Sequence, residues 1–148
     1  MSHVLERITS NPSKITTLRD IVLVSPDAGA MKKIFDIAKK SNIENVINAV
    51  KVRDIASGKI VCTEIPDISL HAGKEFLIVD DICDGGRTFI ELAKAIKKQL
   101  PDAILKLCVS HAIFSAGTDE LLSYFADIYC TNSYQDLNFP GITVLNVF

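Results

Sequence analysis

Residues 76–88 read Phe-Leu-Ile-Val-Asp-Asp-Ile-Cys-Asp-Gly-Gly-Arg-Thr: a wholly apolar run that stops on paired acids and continues into a double glycine. A strand with no polar face is buried on both sides, the condition of a central strand in a parallel sheet covered by helices. Asp80 and Asp81 therefore belong at the carboxyl edge of that sheet, where Gly85 and Gly86 let backbone amides curl into a concave nest above a helix N-terminus. Such a nest holds a phosphate. The carboxylates suit the rest of the same ligand, because sugar hydroxyls need acceptors and Mg²⁺ needs hard oxygens. The plainer alternative is a strand that ends in acids, with Thr88 and Glu91 forming a capping box. Two adjacent acids with Asp84 three residues on have no packing reason, which favours the ligand.

The same rhythm of strand, loop and helix runs through the chain. Asp20 to Ser25 is a short β-branched run, and after a Pro-Asp-Ala-Gly turn the segment from Ala30 to Lys40 carries apolar residues at Met31, Ile34, Phe35 and Ala38. Val46 to Val52 reads as a second strand, and Arg53 to Lys59 as a mobile loop with turn chemistry and no packing face. After Phe76 to Val79 comes a helix over Thr88 to Gln99, then a strand over Ile104 to Ser110 and a helix near Gly117 to Tyr124. Strands at Asp127 to Cys130 and Thr143 to Val147 complete the pattern. Alternation of this kind predicts an α/β three-layer sandwich, with a mostly parallel central sheet, helices on both faces and ligands at the carboxyl ends of the strands.

No repeat or Pro/Gly-rich linker divides the 148 residues, so residues 1–148 are read as one domain. Sixteen basic against eighteen acidic side chains leave a net charge of −2, which argues against nucleic acid as a partner. No apolar run approaches the roughly 18 residues of a membrane span, and the polar start Met1 to Arg7 lacks the apolar core of a signal peptide. Cys62, Cys83, Cys108 and Cys130 form no Cys-x-x-Cys pair, and a zinc site would need an improbable convergence with His3, His71 or His111. A reducing cytoplasm fits best.

The acidic, glycine-rich segment resembles the 5-phosphoribosyl-1-pyrophosphate loop of type I phosphoribosyltransferase folds. Val24-Ser25-Pro26-Asp27-Ala28-Gly29 is similar to the pyrophosphate-side loop of ribose-phosphate pyrophosphokinases, and Lys51-Val52-Arg53 to that family's Lys-x-Arg at the base of a flexible loop. Ser110-His111-Ala112-Ile113-Phe114-Ser115 and Thr131-Asn132-Ser133 resemble its late strand-end segments, in the same order. Two departures stand out: Gly85 and Arg87 occupy places where the family commonly has Thr and Gly, and Ala30 replaces a second glycine.

The resemblance covers only the family's C-terminal half. It implies a transferase that makes phosphoribosyl pyrophosphate from ATP and ribose 5-phosphate, incomplete without an N-terminal half or the contacts of a homo-oligomer. Asp80, Asp81 and Asp84 would bind the ribose, and Gly85, Gly86, Arg87 and Thr88 its 5-phosphate. Mg²⁺ would be held by Asp27, Asp80 and Asp81, while Ser25, Asp27, Ala28 and Gly29 would form the pyrophosphate side. Lys51 and Arg53 would be catalytic: two apart on an extended segment they point the same way, and a phosphoryl group in transit needs positive charge around its oxygens. For Asp27 a cap on the following helix is an equal alternative. Other functions open to such a chain are a small phosphoribosyltransferase consuming phosphoribosyl pyrophosphate, a relative acting on ADP-ribose, and a non-catalytic sugar-phosphate-binding regulator.

Overall fold

The computed structural model describes residues 20–131 and 140–145. Six strands, β1 (Ile21–Ser25), β2 (Asn45–Asn48), β5 (Glu75–Cys83), β6 (Ile104–Ala112), β7 (Asp127–Thr131) and β8 (Ile142–Leu145), form a sheet in the order β2-β1-β5-β6-β7-β8. Every neighbouring pair is parallel. A separate antiparallel hairpin is made by β3 (Val50–Arg53) and β4 (Ile60–Glu64).

Alternation along the strands divides the core between two faces. On one, Ile21, Leu23, Leu77 and Val79 meet Ile34, Ile37 and Ala38 of α1 (Met31–Ser41). On the other, Val22, Val24, Phe76 and Ile78 meet Phe89, Leu92, Ala93 and Ile96 of α2 (Arg87–Gln99), with Leu121 of α3 (Asp119–Tyr124) beside them. The parallel sheet with helices on both faces is the architecture expected from the sequence. No helix among the described residues is long and apolar enough to cross a membrane.

Several boundaries differ from the sequence reading. Val46 to Val52 is not one strand: the chain leaves the main sheet at Ala49, whose N–H donates to Ser25 O at 2.9 Å, and begins the hairpin at Val50. Residues 54–59 are the hairpin's turn, and β4 is a strand beyond those the sequence pattern predicts. The turn is closed by Asp54 N–H to Lys59 O and Gly58 N–H to Asp54 O, both 2.8 Å. The Asp54 carboxylate accepts from Ala56 N and Ser57 Oγ, and these bonds hold its pKa below the ordinary value. Phe35 is half exposed, and Ile37 takes its expected place on the buried stripe. The last strand is Ile142–Leu145, so Asn146 and Val147 of the expected strand lie outside the described residues, as do Asn132, Ser133 and His3.

Candidate functional site

The sheet order places β1 beside β5, yet β1 continues into α1 on one face and β5 into α2 on the other. The two loops diverge and open a crevice at the strands' carboxyl ends, the usual binding position in open α/β sheets. Asp27 leaves the end of β1 and Asp80 lies near the end of β5.

Asp27 takes the cap weighed for it and also faces the hairpin. One carboxylate oxygen, Oδ1, accepts from Ala30 N–H at 3.0 Å and caps the 3-10 turn Ala28–Ala30, while Oδ2 lies 3.3 Å from Lys51 Nζ. Ser25, fully buried, donates Oγ–H to Asp27 O at 2.7 Å and fixes the loop from below. A Cβ on Gly29 would stand 3.3 Å from Asp27 Oδ1, so glycine leaves that carboxylate room. Lys51, mostly buried with 16% side-chain exposure, reaches into the crevice from the hairpin.

Asp80 carries a raised pKa, first through burial and then through the negative charge of Asp27, with Lys51 and Lys33 opposing. Two carboxylates and one ammonium thus share the crevice. Asp81 is placed differently: alternation turns it toward α1, where it ion-pairs with Lys33, and it does not line the crevice. Asp80 Oδ1 accepts the Asp81 N–H at 2.8 Å, which orients the buried carboxylate. Cys83 is no nucleophile, since burial, with Asp84 and Asp80 nearby, pushes its thiol up to about 12. All four cysteines are free.

Gly86, at φ +83°, precedes the first turn of α2 and makes no side-chain cap. The capping box on Thr88 and Glu91 therefore does not form; Glu91 pairs with Lys94 at 3.3 Å instead. The loop is held from the next strand: Ile113 and Phe114 N–H donate to Cys83 O at 2.9 and 3.2 Å, and Ser115 N–H donates to Asp84 O at 3.0 Å. That turn needs a left-handed residue, and Phe114 takes φ +51° to make it. Thr131 Oγ ties β7 to Ser110 O at 2.5 Å.

These residues enclose a cavity of about 290 Å³ lined by Lys51, Asp80, Asp84, Gly85, Gly86, Arg87 and Thr88, with Ile82 and Phe89. A second, of about 680 Å³, shares Lys51, Arg87 and Thr88 and continues under the hairpin past Arg53, Gly58 and Lys59. The structure thus brings the acidic strand end, the glycine loop and the Lys-x-Arg pair together and sets Asp81 apart. Sequence reasoning did not find Lys59, Cys62, Thr63 or Glu91 on the second cavity. Lys59 could have been suspected as a cation closing the turn, but Cys62 and Thr63 become lining residues only once β4 is known to pair with β3.

Among the described residues no three His, Cys, Asp or Glu side chains converge to hold a metal. Two hard carboxylates, Asp27 and Asp80, are a fitting partial set for Mg²⁺, which keeps several waters and takes further oxygens from phosphates.

The profile of the phosphoribosyl transferase domain matches residues 17–139. The ribose-phosphate pyrophosphokinase of Synechococcus elongatus is 32% identical over 136 residues, 88% of this chain and 40% of that protein. A protein of the same name from Nostoc is 33% identical over 135 residues, with the same shares. Among solved structures, the phosphoribosylpyrophosphate synthetase of Mycobacterium smegmatis superposes with a TM-score of 0.76 at 21% identity, covering 99% of this chain and 46% of that one. At that identity the likeness is one of fold. The chain spans less than half the length of these relatives.

Proposed function

The chain belongs to the phosphoribosyl transferase domain family, and from that premise we propose that it is the ribose 5-phosphate-binding C-terminal half of a ribose-phosphate pyrophosphokinase. The observation that carries the reading is the meeting of Asp80, the loop Gly85–Thr88 and Lys51 around one cavity. Asp80 and Asp84 accept hydrogen bonds from ribose hydroxyls, and the backbone of Gly85 to Thr88 with the start of α2 holds the 5-phosphate. In the transfer, the ribose 1-hydroxyl oxygen bonds to the β-phosphorus of ATP. The bond from that phosphorus to the oxygen bridging the α-phosphate breaks, AMP leaves, and the hydroxyl proton passes to water. Lys51 and Arg53 neutralise charge on the group in transit, acting by position and electrostatics.

Asp27 and Asp80 would hold Mg²⁺ together with phosphate oxygens, and the ion would supply charge neutralisation of the phosphates. Asp81, engaged by Lys33, supports the strand end from the far face. Ser25, Ala28 and Gly29 shape the pyrophosphate side around Asp27. The chain acts as one cytoplasmic domain and completes its ATP side with the remaining length found in its relatives or with further copies of itself.

Calorimetry of ribose 5-phosphate with Mg²⁺ against this chain tests the reading. Binding is expected, with little or no diphosphokinase turnover by the chain alone, and Asp80→Asn should abolish the binding heat. Binding unaffected by Asp80→Asn would remove the sugar from this cavity and overturn the assignment.

A further inference from the structure

Lys33 stands where helix stability alone would not put it. It lies in the first turn of α1 beside Lys32, and that turn holds no acid. The N-terminal end of a helix carries partial positive charge, so a cation is disfavoured there. What Lys33 gains lies off its own helix: it forms an ion pair with the Asp81 carboxylate near the end of β5, and its charge also acts on Asp80. Lys33 therefore links the two sides of the crevice from behind. Its helix follows directly on the turn that Asp27 caps, and β5 carries the acids read as sugar ligands.

Asp81 needs such a partner. Its side chain is 58% exposed, and its backbone N–H donates to Asp80 Oδ1 at 2.8 Å, so the two acids are joined at the strand's end. Rotation of an unpaired Asp81 side chain would carry a third carboxylate over that end toward the crevice, where Asp27 and Asp80 already repel each other. A sugar phosphate entering there brings still more negative charge.

We propose that Lys33 is a positioning residue of the sugar site, which holds the Asp81 carboxylate on the α1 face and keeps it out of the space that the sugar phosphate enters. The inference rests on the reading of the Asp80 to Thr88 cavity as the ribose 5-phosphate pocket. Lys33 touches neither sugar nor metal and acts only through Asp81. Removing Lys33 alone releases a charge into the site, whereas removing the Asp81 charge leaves Lys33 with nothing to restrain. The second change should therefore repair the first.

The test is calorimetry of ribose 5-phosphate with Mg²⁺ on this chain. Wild type is compared with Lys33→Gln, Lys33→Arg, Asp81→Asn, the double variant Lys33→Gln/Asp81→Asn, and Lys32→Gln. The last removes the same charge from the same turn at an exposed position without touching Asp81. Lys33→Gln should weaken binding by about fivefold, the upper range for an exposed ion pair. Lys33→Arg, Asp81→Asn, Lys32→Gln and the double variant should all stay within about twofold of wild type. Melting temperatures should move by no more than about 3 °C, because the lost pair is offset by relief at the helix N-terminus. Binding by Lys33→Gln within twofold of wild type overturns the inference and leaves the proposed function standing. An equal loss in Lys32→Gln, or no recovery with arginine, overturns it too, by reducing the effect to net charge or to local packing. Asp81→Asn binding more weakly than Lys33→Gln, or a double variant no better than Lys33→Gln, overturns it by placing Asp81 itself on the sugar. Failure of wild type to bind ribose 5-phosphate removes the pocket, and both readings fall together.

Discussion

Adjacent glycines in the phosphate loop should respond to alanine in opposite ways, because only one of them depends on glycine for its backbone. Gly86 sits at φ +83°, and a Cβ there would approach the Leu121 methyls to 3.2 Å. Leu121 is 2% exposed and belongs to the main core, so it has little room to withdraw. Left-handed backbone at a non-glycine residue costs roughly 1–2 kcal/mol, and an extra carbon in a packed core about 1–3 kcal/mol. The loss of unfolded-chain entropy offsets about 0.4–1 kcal/mol of this. Gly86→Ala should therefore destabilise the fold by about 1–4.5 kcal/mol, the net of those contributions. At roughly 2–4 °C per kcal/mol for a chain of this size, that lowers Tm by about 2–18 °C. Gly85 has neither the strained backbone nor a neighbour within 4 Å, so Gly85→Ala should stay within about 0.5 kcal/mol of wild type. Urea denaturation with thermal melts on both variants measures the contrast. Equal effects, or a Gly85 variant more damaged than the Gly86 one, would refute the loop geometry and the account of how α2 begins.

Asp80→Asn should change the pH dependence of stability. A carboxyl whose folded pKa is raised favours the folded state when protonated, so that contribution is fully present below the ordinary value of 3.8 and is lost as pH rises through the raised value. The variant should accordingly gain on wild type as pH climbs from about 3 to 7, measured by urea midpoints; a difference that shrinks over that range contradicts it. Lys106→Met should destabilise by about 3–5 kcal/mol, because Lys106 Nζ is buried 3.1 Å from Glu75 Oε2 and 3.5 Å from Asp127 Oδ2, and both acids would be left facing each other; denaturant titration showing under 1 kcal/mol of loss would rule that out. On the proposed transfer, Lys51→Ala and Arg53→Ala should each lower kcat on the order of 10²–10³ with a small change in KM for the sugar, and an equal rise in KM would place them in ground-state binding. Hydrogen exchange should find amides of 50–64 opening more readily than those of β5 and β6, since Val50, Val52 and Ile55 of the hairpin are exposed while Phe76 to Val79 are buried.

What could be read from the sequence and what could not divides along one physical line. Phe76 to Thr88 was legible because each of its signals is local: an apolar run without a polar face, acids at its end, glycines where the backbone must turn. The parallel sheet followed from alternation, and α1 from its spacing, although period alone could not tell whether Phe35 or Ile37 completes the buried stripe. Position in the sheet made that choice, turning Ile37 onto Ile21 and Leu23. The hairpin was illegible because the break at Ala49 has no chemical mark. Alanine fits a strand or a bend, and its N–H still bonds to Ser25 O of β1, so what separates β2 from the hairpin is the pairing of β3 with β4 that begins at Val50. Asp81 is the reverse case: adjacency to Asp80 in sequence suggests shared work, while its ion pair lies with Lys33. A strand's period of two sends neighbours to opposite faces, so adjacency on an extended chain is an argument for separation. Lys51 and Arg53 obey the same period and stay together over the cleft, even with the pairing of β3 and β4 irregular between Val52 and Arg53. The half of the site built on β5 and α2 is therefore written in consecutive residues. The half supplied by the hairpin exists only through tertiary pairing, and it brings Arg53 and Lys59 to the cavity that Arg87 opens from the other side.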